Sequence, residues 1–445
     1  MRKSFSILCL FILAVASAWF LSDSLHLSPY DQQKYGVSFT QLSGVISIAL
    51  MGFATLLAIR PVWLEPYLNG LDKMYRLHKW LGISAMIVGV AHWLTAQGAH
   101  GHQGPPGNAG AASSAASDFG AAVTQGLFAG LEGPAKGVAQ PALWILLALV
   151  AIALVKIIPY HVFALTHRLV PAVFLVLVFH SVVFMKSAYW TQAIGFVMAP
   201  VFVAGAAAAV IALFRFIGAR RKVEATVTAK TYFPEVKALL VSMEMGPGWK
   251  THRPGQFAFV GSPSRWSSHP FTIASPWNAK DRKIAFIVKE LGDATQDLEK
   301  KLSIGTKLVV EGPYGCFNFE DDKSRQIWIS GGIGITPFVA RMQSLISSPN
   351  PKMPVDLFHS EANPGNQAHA LLRDDAARSG VTLHLSITPE HGRLTGAKIR
   401  AAVPDWQSAS FWFCGPTAFA AALKLDLMRH GLKSADFHHE LFEMR

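Results

Sequence analysis

The sequence predicts a composite fold: a membrane α-helical bundle of six helices over residues 1–218, an antiparallel β-barrel domain over 222–322, and an α/β nucleotide-binding domain over 325–445. Three observations predict it. Polarity is split along the chain. Only 15% of its 445 residues are charged, well below the roughly 25% of a soluble protein. Residues 1–222 carry 15 Lys and Arg against 6 Asp and Glu, whereas residues 223–445 carry 25 against 22. Four histidines interrupt two apolar runs as spaced pairs, His78 with His92 and His167 with His180. Short β-branched runs over 223–320 then give way to alternating strand and helix patterns with a Gly-rich turn.

A bilayer core takes about 20 apolar residues as helix. Six runs qualify: 5–22, 38–59, 77–97, 141–158, 162–185 and 192–217. The start, Met1-Arg2-Lys3 followed by an apolar run and Ala16-Ser17-Ala18, fits a cleavable leader as well as a retained first helix; the retained helix is the reading adopted. Arg2, Lys3, Arg60, Lys73, Arg76, Lys79, Lys156, Arg168, Arg215, Arg220, Arg221 and Lys222 fall on one side of the spans. Lys34, Lys136 and Lys186 fall on the other. That asymmetry puts both termini in the cytoplasm, His78 and His167 near the inner face, and His92 and His180 near the outer face. The basic excess sits at the ends of apolar spans, so it is a membrane signal and no nucleic-acid partner is expected. Residues 98–140, rich in Gly, Ala and Ser and opened by His100 and His102, read as a solvated outer loop.

An ionisable side chain inside a membrane is costly and points to function. At about 1.5 Å per residue, the two histidines of each span lie about 20 Å apart along the helix. Two helices thus offer imidazoles at two shared depths, His78 with His167 and His92 with His180, as axial ligands of two stacked haem irons. One detail resists a straight helix. Fourteen residues return to within about 40° of the same face, but thirteen miss by about 140°; Pro171 lies between His167 and His180 and is a candidate kink. Three cysteines, Cys9, Cys316 and Cys414, are too few for the roughly four thiolates of an iron–sulfur cluster.

In the second half, EATVTAKTYF, VKALLVSM, FAFVG, FTIAS, KIAFIVKE and TKLVVEGPYG read as strands of a small antiparallel barrel. QIWISGG, VDLFHS, VTLHLSIT and FWFCGP alternate with helical stretches, the pattern of a nucleotide-binding sheet. Three motifs stand out in order: His269-Pro270-Phe271-Thr272; Gly292-Asp293-Ala294-Thr295, with Lys289 three residues before it; and Gly331-Gly332-Ile333-Gly334-Ile335-Thr336-Pro337 between a strand and a helix. Glycines at such a turn let backbone amides approach a diphosphate at a helix N-terminus.

With these motifs and the paired histidines, the chain resembles the NADPH oxidase/ferric reductase superfamily, of bacterial type, over about residues 38–445. The resemblance implies FAD, two b-type haems and NAD(P)H as cofactors, in a bacterial inner membrane with the soluble module in the cytoplasm. It implies His269, Pro270, Phe271 and Thr272 around the flavin, with Gly292, Thr295 and Lys289 at the FAD diphosphate. It implies Gly331, Gly332, Gly334, Thr336 and Pro337 at the pyridine nucleotide, and Cys414, Gly415 and Pro416 by the nicotinamide. Thr272, Cys414 and Phe442, the aromatic of Glu440-Leu441-Phe442, would then serve the hydride-transfer step. A basic cluster for a 2′-phosphate is missing after the second strand of the nucleotide domain, where the sequence reads Leu357-Phe358-His359-Ser360-Glu361. Glu361 suits a ribose hydroxyl and favours NADH, although Arg373 and Arg393 lie downstream.

The activity implied is transmembrane electron transfer to an outer acceptor, a ferric or other metal chelate. An oxidase that reduces dioxygen to superoxide and a membrane-anchored flavin reductase subunit without haem are the alternatives. No obligate protein partner is evident, and no Asp-x-Asp-x-Asp-Gly loop suggests calcium control.

Overall fold

The computed structural model describes residues 2–23, 32–101, 128, 130–155, 157–263, 268–292, 295–348 and 353–440. The chain divides into two compact units, Met1–Pro61 with Lys73–Ile217, and Val62–Asp72 with Gly218–Arg445.

The first unit consists of α1 (Arg2–Ser22), α2 (Gln32–Ala58), most of α4 (Leu71–Gly101), α5 (Glu132–Leu154), α6 (Tyr160–His167), α7 (Val170–Phe184) and α8 (Ala193–Leu213). The short helix α3 (Glu65–Leu68) belongs to the second unit. Among the described residues, five segments are long and apolar enough to cross a membrane: Phe5–Ser22, Gly36–Ala58, Glu132–Leu154, His161–Phe184 and Ala193–Leu213. The sixth expected span, 77–97, falls in α4, which is a 31-residue helix but not one of the five. Its charges from Asp72 to Lys79, and later His92 and Gln97, make it more polar than they are. The span expected at 141–158 starts earlier, at Glu132, and ends at Leu154. Gly133 and Pro134 disguise its first turn as loop, yet a proline in the first turn of a helix removes no intrahelical hydrogen bond; Pro141 stands inside the helix. The centre of the expected outer loop, 102–127, lies outside the described residues.

The histidine-bearing fifth span is two helices. α6 ends at His167, and α7 starts at Val170 with Pro171 in its first turn. The break at Arg168–Leu169 removes the constraint that a continuous helix would place on a thirteen-residue spacing.

Glycines let these helices close on one another. A Cβ on Gly205 would lie 2.9 Å from Phe174 Cζ and 3.1 Å from Gly52 Cα, so α2 and α8 meet over the Phe174 ring. At one end of α1, Ser22 Oγ accepts from Ile194 N–H at 2.9 Å. Lys186 donates to Asp23 at 3.1 Å while lying over the Tyr189 ring.

The second unit opens with six strands: β1 (Lys222–Phe233), β2 (Ala238–Met245), β3 (Phe257–Gly261), β4 (Ser268–Thr272), β5 (Lys283–Lys289) and β6 (Lys307–Tyr314), with α9 (Leu298–Lys301) before β6. They form one antiparallel sheet in the order β4-β3-β6-β1-β2-β5. Among the described residues the edge strands meet at a single bridge, Ile273 with Phe286, and no continuous ladder joins them. The domain is therefore an antiparallel sheet without the closed barrel that the strand spacing suggests. Alternation sets its core. Ile284, Phe286 and Val288 of β5 pack inward with Leu239, Val241 and Met243 of β2.

A second, parallel sheet has the order β11-β10-β7-β8-β9. Its elements are β7 (Arg325–Gly331), α10 (Thr336–Ser347), β8 (Val355–Glu361), α11 (Asn366–Ser379), β9 (Thr382–Ile387), α12 (Thr388–His391), α13 (Gly396–Ala402), β10 (Ala409–Cys414), α14 (Thr417–Arg429) and β11 (Phe437–Glu440). The chain steps from β7 to β9 in one direction and from β10 to β11 in the other. The order thus reverses between β7 and β10, and ligands of such sheets bind in the crevice at that reversal, beyond the carboxyl ends of the strands. The segment Val62–Asp72 folds with this unit. Glu65 Oε1 accepts from Gly315 N–H at 2.7 Å, and the Glu65 side chain is buried.

Candidate functional site

Two imidazole pairs mark the first unit. His78 and His167 face each other with ring centres 6.0 Å apart and planes at 81°. His92 and His180 do so at 6.5 Å and 70°. A metal-bound imidazole nitrogen lies about 2 Å from the ion, so two rings on opposite sides of one ion have centres roughly 6 Å apart. The ring nitrogens are oriented for that task. Nδ1 of His78 donates to the Ala54 carbonyl at 2.8 Å, that of His92 to Thr40 at 2.9 Å, and that of His180 to Ala135 at 3.1 Å. A carbonyl can only accept, so Nδ1 carries the proton and Nε2 keeps its lone pair for an ion. His167 differs, since its Nδ1 is buried without a hydrogen-bond partner. Gly44 makes room for the second pair: a Cβ there would lie 3.0 Å from His92 Cε1.

In the second unit, β4 carries His269–Thr272, paired with β3 so that Thr272 lies opposite Phe257. The Phe271 ring meets Phe286 edge-on. Thr272 is buried, and its Oγ1 has no hydrogen-bond partner. An orphaned hydroxyl on this strand is what a bound flavin edge would satisfy. Burial holds the His269 imidazole below its ordinary range. Thr295 Oγ1 accepts from Leu291 N–H at 3.0 Å and donates to the Gly292 carbonyl at 3.2 Å, closing a tight turn after β5. Asp293 and Ala294 of that turn lie outside the described residues.

The crevice at the sheet reversal is made by two glycine turns. A Cβ on Gly334 would collide with the Cys414 carbonyl, and one on Gly331 would come within 3.0 Å of Pro416 Cδ. Only glycine lets the Gly331–Thr336 turn and the Cys414–Pro416 turn touch backbone to backbone. Gly332, at φ 54°, faces open space, its nearest neighbour being Lys289 Nζ at 3.7 Å from a Cβ. Thr336 Oγ1 donates to the Ile333 carbonyl at 2.8 Å, and Pro337 follows in the first turn of α10. Cys414 is fully buried at the end of β10, beside Glu440 of β11 in register. Burial, and after it the Glu440 carboxylate, pushes the Cys414 thiol well above its usual range. It is a neutral thiol at physiological pH, a packing and contact group and not a thiolate nucleophile. Phe442 lies outside the described residues.

Residues 43–178 match the ferric reductase like transmembrane component, and residues 225–318 match an FAD-binding domain. The chain matches the NADPH oxidase/ferric reductase superfamily. A ferric reduction oxidase 4 of Arabidopsis thaliana is 37% identical over 95 residues, covering 20% of this chain and 14% of its own. A flavohemoprotein of Deinococcus radiodurans is 26% identical over 200 residues, 40% of this chain and 48% of its own. A glycine betaine monooxygenase reductase subunit of Chromohalobacter salexigens is 29% identical over 171 residues, 35% and 46% respectively. The chain thus spans about half the length, or less, of the curated relatives it matches. Among solved structures, a ferredoxin reductase in carbazole 1,9a-dioxygenase aligns with 50% of this chain and 69% of its own at 19% identity, with a TM-score of 0.42.

Within this superfamily frame, the structure brings together groups that the motifs do not announce. Gly315, at φ 108°, sits where a Cβ would be 3.3 Å from both Glu440 Oε1 and Phe257 Cδ1, so one glycine joins β4's neighbour, the end of β11 and the Glu65 carboxylate. Lys289, at the end of β5, reaches Glu361 at the end of β8, with Nζ to Oε1 at 3.1 Å. A cavity of about 510 Å³ lies between the outward faces of β2 and β5 and helices α10 and α11, with Lys289, Glu361, Gly332 and His359 among its lining residues. Burial lowers the His359 imidazole to about 4, and His359 Nδ1 lies 2.9 Å from Ser330 Oγ.

Proposed function

We propose that the chain is a membrane oxidoreductase that moves electrons from NAD(P)H on the cytoplasmic side to a ferric or other metal-chelate acceptor on the outer side, with FAD and two b-type haems as resident cofactors. The observation that carries this reading is the pair of facing imidazoles at 6.0 and 6.5 Å, in a chain that also holds the flavin and nucleotide modules. The flavin would supply conversion of a hydride into single electrons, and the haem irons their one-electron relay.

The protein's own part is binding and orientation. His78 with His167, and His92 with His180, offer Nε2 lone pairs to two irons. The carbonyls of Ala54, Thr40 and Ala135 fix three of the tautomers and make those imidazoles better donors. Thr272 presents an unspent hydroxyl and the His269–Phe271 strand a wall for the flavin. The Gly331–Thr336 turn receives the diphosphate of NAD(P)H, and neutral Cys414 packs by the nicotinamide without competing as a nucleophile. The excess of Lys and Arg on one side of the spans supports the cytoplasmic placement of the flavin and nucleotide modules.

The test is spectroscopic. Purified protein reduced anaerobically by NADH or NADPH should develop the bands of reduced low-spin b-type haem and then pass electrons to a ferric chelate. His92→Ala should keep flavin reduction and abolish chelate reduction. A preparation with flavin and no haem absorbance would refute the proposal. Superoxide as the main product in air, with no chelate reduction, would refute the acceptor.

A further inference from the structure

The geometry points to an exchangeable ion pair at the mouth of the nucleotide crevice: Lys289 and Glu361 hold each other, NADH separates them by offering each a better partner, and the same pair shuts out NADPH. This rests on the reading that the second unit oxidises a pyridine nucleotide.

The pair crosses from one domain of the unit to the other. Lys289 closes β5 of the antiparallel sheet, and Glu361 closes β8 of the parallel sheet. Lys289 Nζ lies 3.1 Å from Oε1 and 3.3 Å from Oε2 of Glu361. The Glu361 side chain is only 7% exposed and that of Lys289 18%. Glu361 Oε1 also accepts from Ala362 N–H at 2.9 Å, which fixes the carboxylate at the strand end. Lys289 Nζ stands over the open side of Gly332, where it is the nearest atom to a Cβ, at 3.7 Å.

Each charge therefore occupies a place that the nucleotide needs. An acidic side chain at the end of the second strand accepts hydrogen bonds from the adenosine ribose diol. The Gly-rich turn before α10 takes the diphosphate, and an ammonium beside it neutralises that charge. Deleting one member of a buried ion pair leaves the other uncompensated. A ligand that supplies both a diol and a diphosphate replaces both partners at once, so NADH opens the pair at little net cost. A 2′-phosphate does not. It sets added negative charge against Glu361, and Lys289 cannot serve both phosphate groups.

The pair thus does more than Glu361 could alone, because the carboxylate repels the 2′-phosphate and also occupies the cation that would attract it. Removing the carboxylate charge should do two things together: end the repulsion and leave Lys289 looking for an anion.

The test compares wild type, Glu361→Gln, Glu361→Asp, Lys289→Met and Lys289→Arg as full-length, detergent-solubilised protein. NAD⁺ and NADP⁺ binding is measured by calorimetry, FAD content by absorbance after acid release, and flavin reduction by NADH and NADPH under nitrogen. Wild type should prefer NAD⁺. Glu361→Gln should shift the affinity ratio toward NADP⁺ by about tenfold or more, since like-charge contacts in enclosed sites are strongly selective. Glu361→Asp should keep the wild-type preference. Lys289→Met should weaken both nucleotides with FAD content unchanged, and Lys289→Arg should restore binding. Equal weakening of both nucleotides in Glu361→Gln would overturn the inference, because that is what a merely structural carboxylate gives. Loss of FAD in Lys289→Met would also overturn it, by assigning Lys289 to the flavin diphosphate. If wild type binds neither nucleotide and its flavin is reduced by neither, the oxidoreductase reading itself fails; selectivity that the variants leave unmoved sinks only the ion pair.

Discussion

Cys414 and Cys316 share a residue type and differ in everything that sets thiol chemistry. Cys414 is fully buried, with its ionisation pushed up by burial and by Glu440, whereas Cys316 is exposed. Iodoacetamide at mildly alkaline pH should label Cys316 within minutes and leave Cys414 unmodified until the protein unfolds, as read by peptide mass spectrometry. Rapid labelling of Cys414 in native protein would contradict its burial. His359 gives a second test at this scale. Burial holds it at about 4 in the fold, against about 6.5 in an unfolded chain. The unfolded state therefore takes up the proton first as pH falls. The contribution is complete above pH 6.5 and is lost toward pH 4, on the order of 3 kcal/mol in all. Thermal unfolding followed by tryptophan fluorescence should show a steeper acid-side loss in wild type than in His359→Gln.

Single elements carry the next set of consequences. α2 approaches α4 closely enough that Gly44 leaves room for little beyond hydrogen beside His92. On the proposed two-haem reading, Gly44→Leu should push the imidazole aside and lower haem b per protein by about half, leaving the His78–His167 site intact. A pyridine haemochrome assay reads that ratio, and unchanged haem content would refute the crowding argument. At the nucleotide crevice, Gly334→Ala must move the Cys414 carbonyl, so nucleotide affinity should fall without loss of FAD. These elements also show what a sequence can disclose. The histidine pairs and the Gly331–Pro337 turn were legible because their meaning lies in local spacing, between residues on one helix or one turn. The division of the fifth span into α6 and α7 was only hinted at by Pro171, since a kink and a clean break leave the same proline. The start of α5 was hidden, because Gly133 and Pro134 are turn residues by type that the first turn tolerates, and Pro141 interrupts the apolar run from inside the helix. Strand spacing gave the antiparallel sheet, but whether its edges zip together depends on long-range pairing, and they meet at one bridge.

At the scale of the whole molecule, the contacts that matter most join residues far apart in the chain. Lys289 and Glu361 are 72 positions apart, and Glu65 and Gly315 are 250 apart. No periodicity or motif announces either, because each depends on how two separately legible segments pack. Glu65 lies in the Val62–Asp72 segment, which leaves one compact unit to complete the other. Glu65→Ala would leave the half-buried backbone donor at Gly315 without this acceptor, costing on the order of 1 kcal/mol. Hydrogen exchange over 312–318 should accelerate accordingly, with Glu65→Gln, which keeps an acceptor oxygen, in between. Exchange equal to wild type in Glu65→Ala would show that the contact does not stabilise the turn.

That contact also places the chain on a clock. Ribosomes add about 5–20 residues per second, so the carboxylate at Glu65 emerges roughly 10–50 s before the amide it must meet. Throughout that interval Val62–Asp72 waits between two helices already leaving the ribosome, and the unit it belongs to cannot be finished until most of the chain has been made. Any factor that shields this short segment during translation would act on the yield of active enzyme, long before a substrate is bound.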